Sequence, residues 1–568
     1  MTGSEPQQPR APLQPEGRRH SRPRQPRRVT EVDTDLLELT DTRIHEPQRV
    51  AASPHGMVST AHYSATAAGV RMLERGGNAV DAAVAAALAL GVCEPAASGL
   101  GGQTMMLVHH RSSGTTVAVD GSSRAPGGAL IDSFANLRVD RRRGHRATTV
   151  PSSPATYAHV LERFGRLGWA TVLEPAIELA ADGYEVSVLQ YRLTRRERRH
   201  LKAHSAGPLF LQDGRRARRA GTRFVQPALA ATLRRLAERG YEDFYSGETA
   251  RLIHEDMVAN GGFLREDDLA QIPVPVEREP LSGRLGRDRV LTMPLPGAGR
   301  TLLEMLNIHQ SLPRELQDLD TPDGAVCLAR TMRQALIDRN DRPFDPDLYD
   351  QVPDKQMLNR QYARGVARRI AAIQTSGETT HLSVMDADGN TVALTQSIEN
   401  VYGSCAASPQ LGFLYNNYMS AFNLEDPSHP YYLRPNAVPW ASVAPTIVFK
   451  DERPWLAIGS PGSERIPPAI LQVLLRLRRS SPLAAVDAPR IHCSLDGVVS
   501  AEASRISTDV LDALGRSGFE LTRREPYSFY MGCVQLVMAD GDRLVGVADP
   551  RRDGAAAGPD SAPAAMPA

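Results

Sequence analysis

The chain has 568 residues, 41% hydrophobic and 23% charged, and its 66 Lys and Arg against 65 Asp and Glu leave a formal net charge of +1. That apolar fraction is enough for a large buried core, and nothing in the global charge points to a nucleic-acid or membrane-surface partner. Five scattered cysteines (Cys93, Cys327, Cys405, Cys493 and Cys533) suit neither a disulfide framework nor a zinc site. Dividing the length by about 150 residues per domain sets a first expectation of about four domains.

Residues 1–49 begin with seven arginines among many prolines in the first 28 positions. Such a segment cannot bury enough surface to offset its ordering entropy and reads as a disordered basic tail. No apolar stretch follows the arginines, so no export signal is read here and the expected location is cytoplasmic. Period-3.6 patterning predicts a helix over 64–75. Asn78 then caps an alanine-rich helix from Ala79 to Val92, too short and weakly apolar to span a bilayer and expected to be buried on most faces. A hairpin is predicted from 104–110 and 115–120, then helices over 154–166, 169–182, 227–239, 247–260 and 300–310. Strands 382–385 and 391–397 flank Asp386-Ala387-Asp388-Gly389-Asn390, where Asp-Gly supplies turn chemistry. Residues 551–568, rich in Ala, Pro and Gly, read as a second loose end. No internal repeat and no linker divides 50–550, which favours one large α/β unit over four small ones.

Several motifs mislead when taken alone. Gly99-Leu100-Gly101-Gly102 follows a helix and precedes a strand, the reverse of a dinucleotide fingerprint. Pro296-Gly297-Ala298-Gly299-Arg300-Thr301 lacks the lysine and spacing of a P-loop. Close backbone packing is the expected role of both. Gly459-Ser460-Pro461-Gly462-Ser463 has the wrong spacing for a serine-hydrolase elbow. His109 and His110 face opposite ways on a strand and cannot share a metal. No metal or organic cofactor is expected.

The run Gly377-Glu378-Thr379-Thr380-His381-Leu382-Ser383 would, alone, mean little beyond β propensity. It stands in a wider series: Gly76 to Ala83, Glu94-Pro95, Ser98 to Gly102, Arg278 to Gly283, Asp386 to Asn390, Asn416-Asn417, Ala444 to Val448 and Gly459 to Gly462. In that order these resemble the γ-glutamyltransferases (γ-glutamyltranspeptidases) of the N-terminal-nucleophile hydrolases, over about residues 50–548. The resemblance implies a four-layer αββα sandwich and a precursor that cuts itself. The Thr379 hydroxyl would attack the Glu378 carbonyl, leaving a large chain (50–378 after the tail) and a small chain (379–550 before the loose end), held together without a covalent bond. A free α-amine has an ordinary pKa of about 7.7–8.0, so one residue then supplies both nucleophile and base.

Other family roles carry over position by position. A second threonine whose hydroxyl meets the nucleophile falls at Ser397, and the oxyanion loop's last two residues fall at Gly462 and Ser463. The donor pocket departs from the pattern. The carboxylate-gripping arginine falls at Ser122, with Arg124 two residues on as a substitute. The family's asparagine becomes Glu399, its amine-holding pair becomes Tyr418 and Ala421, and its paired serines become Ala441 and Ser442. The expected activity is therefore hydrolysis or acyl transfer through acyl-Thr379 on a small amide or carbonyl substrate other than a standard γ-glutamyl compound. Two alternatives stay open: C–C bond hydrolysis with the same nucleophile, as in γ-glutamyltransferase-like proteins of actinobacterial proline-derivative antibiotic pathways, and an unprocessed ligand-binding pseudoenzyme.

Overall fold

The helix Ala79–Cys93 shows how composition becomes architecture. In the computed structural model, which describes residues 48–341 and 379–563, it is buried along almost its whole length. Alanine makes it helical at little entropic cost, and small side chains let neighbours approach closely. The Asn78 side chain accepts from the amides of Val80 and Asp81, and the Asp81 carboxylate accepts from Asn78 N at 2.7 Å. A cap of this kind contributes about 1 kcal/mol. Asp386 reaches the same helix end, accepting from Ala79 N at 2.9 Å, and is held in turn by the Asn390 side chain at 2.7 Å. Two motifs far apart in sequence thus meet at one point.

Helices Tyr63–Glu74 and Ala79–Cys93 pack on a seven-stranded antiparallel sheet. Its strands run in the order Ala555–Ala557, Gly56–Thr60, Thr380–Asp386, Thr391–Ser397, Gln103–His110, Thr115–Gly121, Val276–Arg278. A second antiparallel sheet stacks on its other face, ordered Ala562–Pro563, Val50–Ser53, Arg543–Ala548, Gln535–Asp540, Arg453–Gly459, Thr446–Lys450, Asp288–Thr292, Leu281–Leu285. Helices Gly299–Gln310 and Ile466–Arg476 cover the far side, with Pro322–Asp341 packed on the first of them. The result is the αββα order that the motifs implied. Apolar cores lie under each helical layer and between the sheets.

The predicted helices and hairpins all form, with ends shifted by a residue or two. Three findings differ from the sequence reading. The strand predicted over 382–385 runs from Thr380 to Asp386, because its first residues are secured by side chains rather than by patterning. Helix Pro322–Asp341 was not anticipated. Residues 551–563 are not a loose end: Ala555–Ala557 pairs with Gly56–Thr60, Ala562 pairs with Ala52, and Arg551 and Arg552 are each 2% exposed. Short Ala/Gly edge strands hold by backbone hydrogen bonds and carry little hydrophobic signal in sequence. Among the described residues, no helix is long and apolar enough to cross a membrane, and no group of three or more His, Cys, Asp or Glu is placed to hold a metal ion.

Candidate active site

Strand Thr380–Asp386 pairs with Thr391–Ser397 so that Thr380 faces Gln396. Thr379 and Ser397 are the next residues along the two segments. Both are buried, at 4% and 1% exposure. Glu399 N donates to Ser397 Oγ at 2.8 Å, and the Tyr418 phenol lies against the Ser397 side chain. A Cβ on Gly102 would lie 2.3 Å from the Ser397 carbonyl oxygen. The glycine-rich stretch is therefore a close backbone approach that seats Ser397, as its position between helix and strand suggested.

The carbonyl of Thr379 accepts from Arg552 Nη2 at 2.7 Å. The same guanidinium pairs with Glu94 and lies 4.6 Å from the centroid of the Phe529 ring. Glu94 also accepts from Thr380 Oγ1 at 2.6 Å. Burial pushes the Glu94 carboxyl above the usual carboxylate range, with Arg552 pulling the other way. The Glu94–Arg552 pair thus fixes the backbone at both Thr379 and Thr380. Behind it, Arg551 pairs with Glu502 at 2.5 Å and Arg490 with Asp549 at 2.6 Å, all four buried. His381, next along the strand, is a core residue. Its ring bonds Thr395 Oγ1 and Ser383 Oγ, and burial lowers its pKa to about 3.

The loop after strand Arg453–Gly459 holds Gly462 at φ +121° and Ser463 at φ +54°. Ser463 thus keeps the left-handed backbone that glycine adopts freely, at a cost of about 1–2 kcal/mol. It opens a short 3-10 turn leading into helix Ile466–Arg476. Amides at such a start have no intrahelical acceptor and sit at the positive end of the helix dipole, which suits an anionic oxygen.

Glu399, Ser442 and Ser463 line one cavity of about 460 Å³, with Ala421 in its wall. Thr379 is not among its lining residues. Sequence reasoning missed two of its principal side chains, Arg339 and Trp440. Arg339 donates to Ala441 O at 2.8 Å and Ser442 Oγ at 3.2 Å, and its guanidinium lies 4.8 Å from the Trp440 ring centroid. Burial lowers Arg339 to about 10, against the opposing pull of Tyr431, Glu464 and Glu399. Glu399 sits at φ +78°, and burial pushes its carboxyl up to about 7 despite Arg339.

The remaining expected site residues are placed elsewhere. Tyr418 lies against Ser397 rather than in the cavity lining. Arg124 lines a separate cavity of about 130 Å³ with Asp268 and Asn436, and donates to Asn436 O at 3.4 Å. The Ser122 hydroxyl is engaged by Asp120 at 2.5 Å, and Asp120 pairs with Arg278 at 3.1 Å. Glu378 lies outside the described residues.

The family model for gamma-glutamyltranspeptidase matches residues 65–559. The chain is 33% identical over 532 residues to the glutathione hydrolase proenzyme of Escherichia coli (strain K12), covering 87% of this chain and 90% of that one. It is 33% identical over 534 residues to the acylase ACY 1 proenzyme of Pseudomonas sp. (strain V22), covering 89% and 94%. Among solved structures, cephalosporin acylase from Bacillus halodurans superposes with a TM-score of 0.83 at 29% identity, over 92% of this chain and 99% of that one.

Proposed function

The chain belongs to the γ-glutamyltranspeptidase family of hydrolytic and transferase enzymes, and from that premise we propose that Thr379 becomes its nucleophile once the Glu378–Thr379 bond is cut. The observation that supports this reading is the strand register: Thr380 faces Gln396, and Thr379 and Ser397 are the next residues along the two segments. In the precursor the Thr379 hydroxyl attacks the preceding carbonyl. The chain shifts from nitrogen to oxygen, and water then releases residue 378 as a carboxylate and Thr379 as a free amine.

That amine takes the hydroxyl proton as Thr379 Oγ attacks a substrate carbonyl, then passes it to the departing group. Ser397 supports the nucleophile by hydrogen bonding, while the amides at Gly462 and Ser463 hold the negative oxygen of the tetrahedral intermediate. Water or an amine then resolves acyl-Thr379. Arg552 and Glu94 are positioning residues, since they hold the Thr379 backbone rather than the reacting atoms.

The substrate is a small amide or carbonyl compound other than a standard γ-glutamyl one. Ala421 stands where the family's aspartate grips an α-amine, and that loss removes a charge-assisted hydrogen bond of about 1.5–3 kcal/mol. Glu399, Arg339 and Trp440 give the cavity a charge pattern of its own. Denaturing electrophoresis with N-terminal sequencing tests the reading. Two fragments, the smaller beginning at Thr379, are expected for the native chain, and one intact, inactive chain for Thr379→Ala. An intact native chain would make it an unprocessed binder, and turnover by Thr379→Ala would remove the proposed nucleophile.

A further inference from the structure

A second cavity is distinct from the one holding Glu399. It measures about 930 Å³ and adjoins the smaller cavity along two segments. Asn400 and Val401 line the large cavity, directly after Glu399 in the small one; Arg465 lines the large one, directly after Ser463 and Glu464. Phe529, beneath the arginine that holds the Thr379 carbonyl, is also in its wall. Consecutive residues thus line both cavities at the segments that bear Glu399 and the candidate oxyanion loop.

The wall of the large cavity is strongly cationic. Among the described residues, Arg142, Arg143, Arg196, Arg465, Arg523 and Arg524 line it, with His200 and His204, against two carboxylates, Glu197 and Glu525. Glu197 is shared among Arg143 at 3.1 Å, Arg196 at 3.1 Å and His200 at 3.0 Å, so one carboxylate serves two guanidiniums and an imidazole. Burial and the neighbouring cations hold His204 below its ordinary value. Tyr530 lies between two guanidiniums, Arg465 at 4.2 Å and Arg524 at 3.8 Å from its ring centroid, and Arg524 is fixed by Ser500 Oγ at 3.2 Å. Like charges held in a concave wall repel one another and raise the local potential, and a multiply charged anion relieves both effects.

We propose that this cavity receives the amine side of the reaction, the leaving or accepting group, and selects small amines that carry two or more negative charges, such as carboxylates or phosphates. The inference rests on the acyl-Thr379 reading. The amine nitrogen attacks the acyl carbon, the bond from that carbon to Thr379 Oγ breaks, and Oγ recovers the proton that the amine loses. In the reverse sense, the same wall holds the departing amine of a substrate.

The test loads Thr379 with p-nitrophenyl acetate, which asks little of the acyl pocket, and compares deacylation by O-phosphoserine and by serinamide at equal concentration. The phosphorylated amine is expected to be faster by about tenfold, the ratio that one charge-assisted contact supports. That preference is expected to collapse in the double variant Arg142→Ala/Arg523→Ala, whose two side chains are exposed. Equal rates with the two amines, or a preference that survives the double substitution, would overturn the proposal. Should no p-nitrophenolate burst appear, the acyl-Thr379 reading fails on its own, and calorimetric titration with O-phosphoserine then decides whether the wall binds it. Saturable binding weakened by the double substitution upholds the anion site; no binding, or binding that is unchanged, refutes it.

Discussion

Replacing Arg552 by alanine probes the contact that holds the Thr379 backbone. Three interactions go together: the 2.7 Å donation to Thr379 O, the pairing with Glu94 and the packing on Phe529. The Arg552 side chain is 1% exposed and that of Glu94 12%, so the carboxylate is left nearly dry without a counter-ion. Removing one partner of such a buried pair costs about 3–5 kcal/mol. Part of that cost depends on pH. The Glu94 pKa is raised in the folded state, so its contribution favours the fold at low pH and is lost as pH rises through the raised value. Without Arg552 the value rises further, so the deficit grows with pH and shrinks on acidification. Urea unfolding followed by circular dichroism, in an uncleaved Thr379→Ala background so that both proteins are single chains, measures the difference at pH 8 and pH 5.5. Adding Glu94→Gln to Arg552→Ala is expected to recover much of the loss at pH 8. Identical midpoints for parent and Arg552→Ala would refute the reasoning, as would a deficit that grows on acidification.

Three further outcomes follow from the site. Glu399, with its carboxyl near 7, is expected to give the native pH–rate profile an ionisation close to that value, absent in Glu399→Gln. The raised acid favours the fold below the unfolded value near 4.5 and loses that contribution as pH rises through about 7, so Glu399→Gln should gain relative stability at pH 8 in thermal melts. Ser463→Gly should retain turnover, since glycine adopts φ +54° freely, whereas Ser463→Val should lower it about tenfold by displacing the loop amides, as measured by steady-state kinetics.

The parts of this molecule with a local cause were readable in the sequence. Alanine content and Asn78 gave the central helix, Asp-Gly marked the hairpin behind Thr379, and the glycines at 99–102 read correctly as close packing. The motif series led to the αββα frame. What stayed hidden depends on tertiary approach. Arg339 is one of many arginines until the end of its helix meets Ser442 and Trp440, and periodicity did not single that helix out. Arg552 sits in a segment whose composition suggests no structure, yet it reaches the backbone of Thr379 from 173 residues away. Arg124 shows the opposite error. Proximity in sequence to a lost arginine put it forward as a substitute, while the backbone turns it into another cavity.

The interleaving of strands has a consequence for how such a molecule is made. In each sheet, strands that precede residue 379 are interspersed with strands that follow it: Gly56–Thr60 lies between Ala555–Ala557 and Thr380–Asp386, and Val50–Ser53 between Ala562–Pro563 and Arg543–Ala548. A peptide break before Thr379 leaves two polypeptides woven together, and separating them means unzipping both sheets at several seams. Under the proposed cut, folding comes first and scission afterwards. Two separately synthesised pieces would each display unpaired sheet edges, the usual route to aggregation. On that proposal the covalent link serves once, as an assembly guide, before the weave has closed.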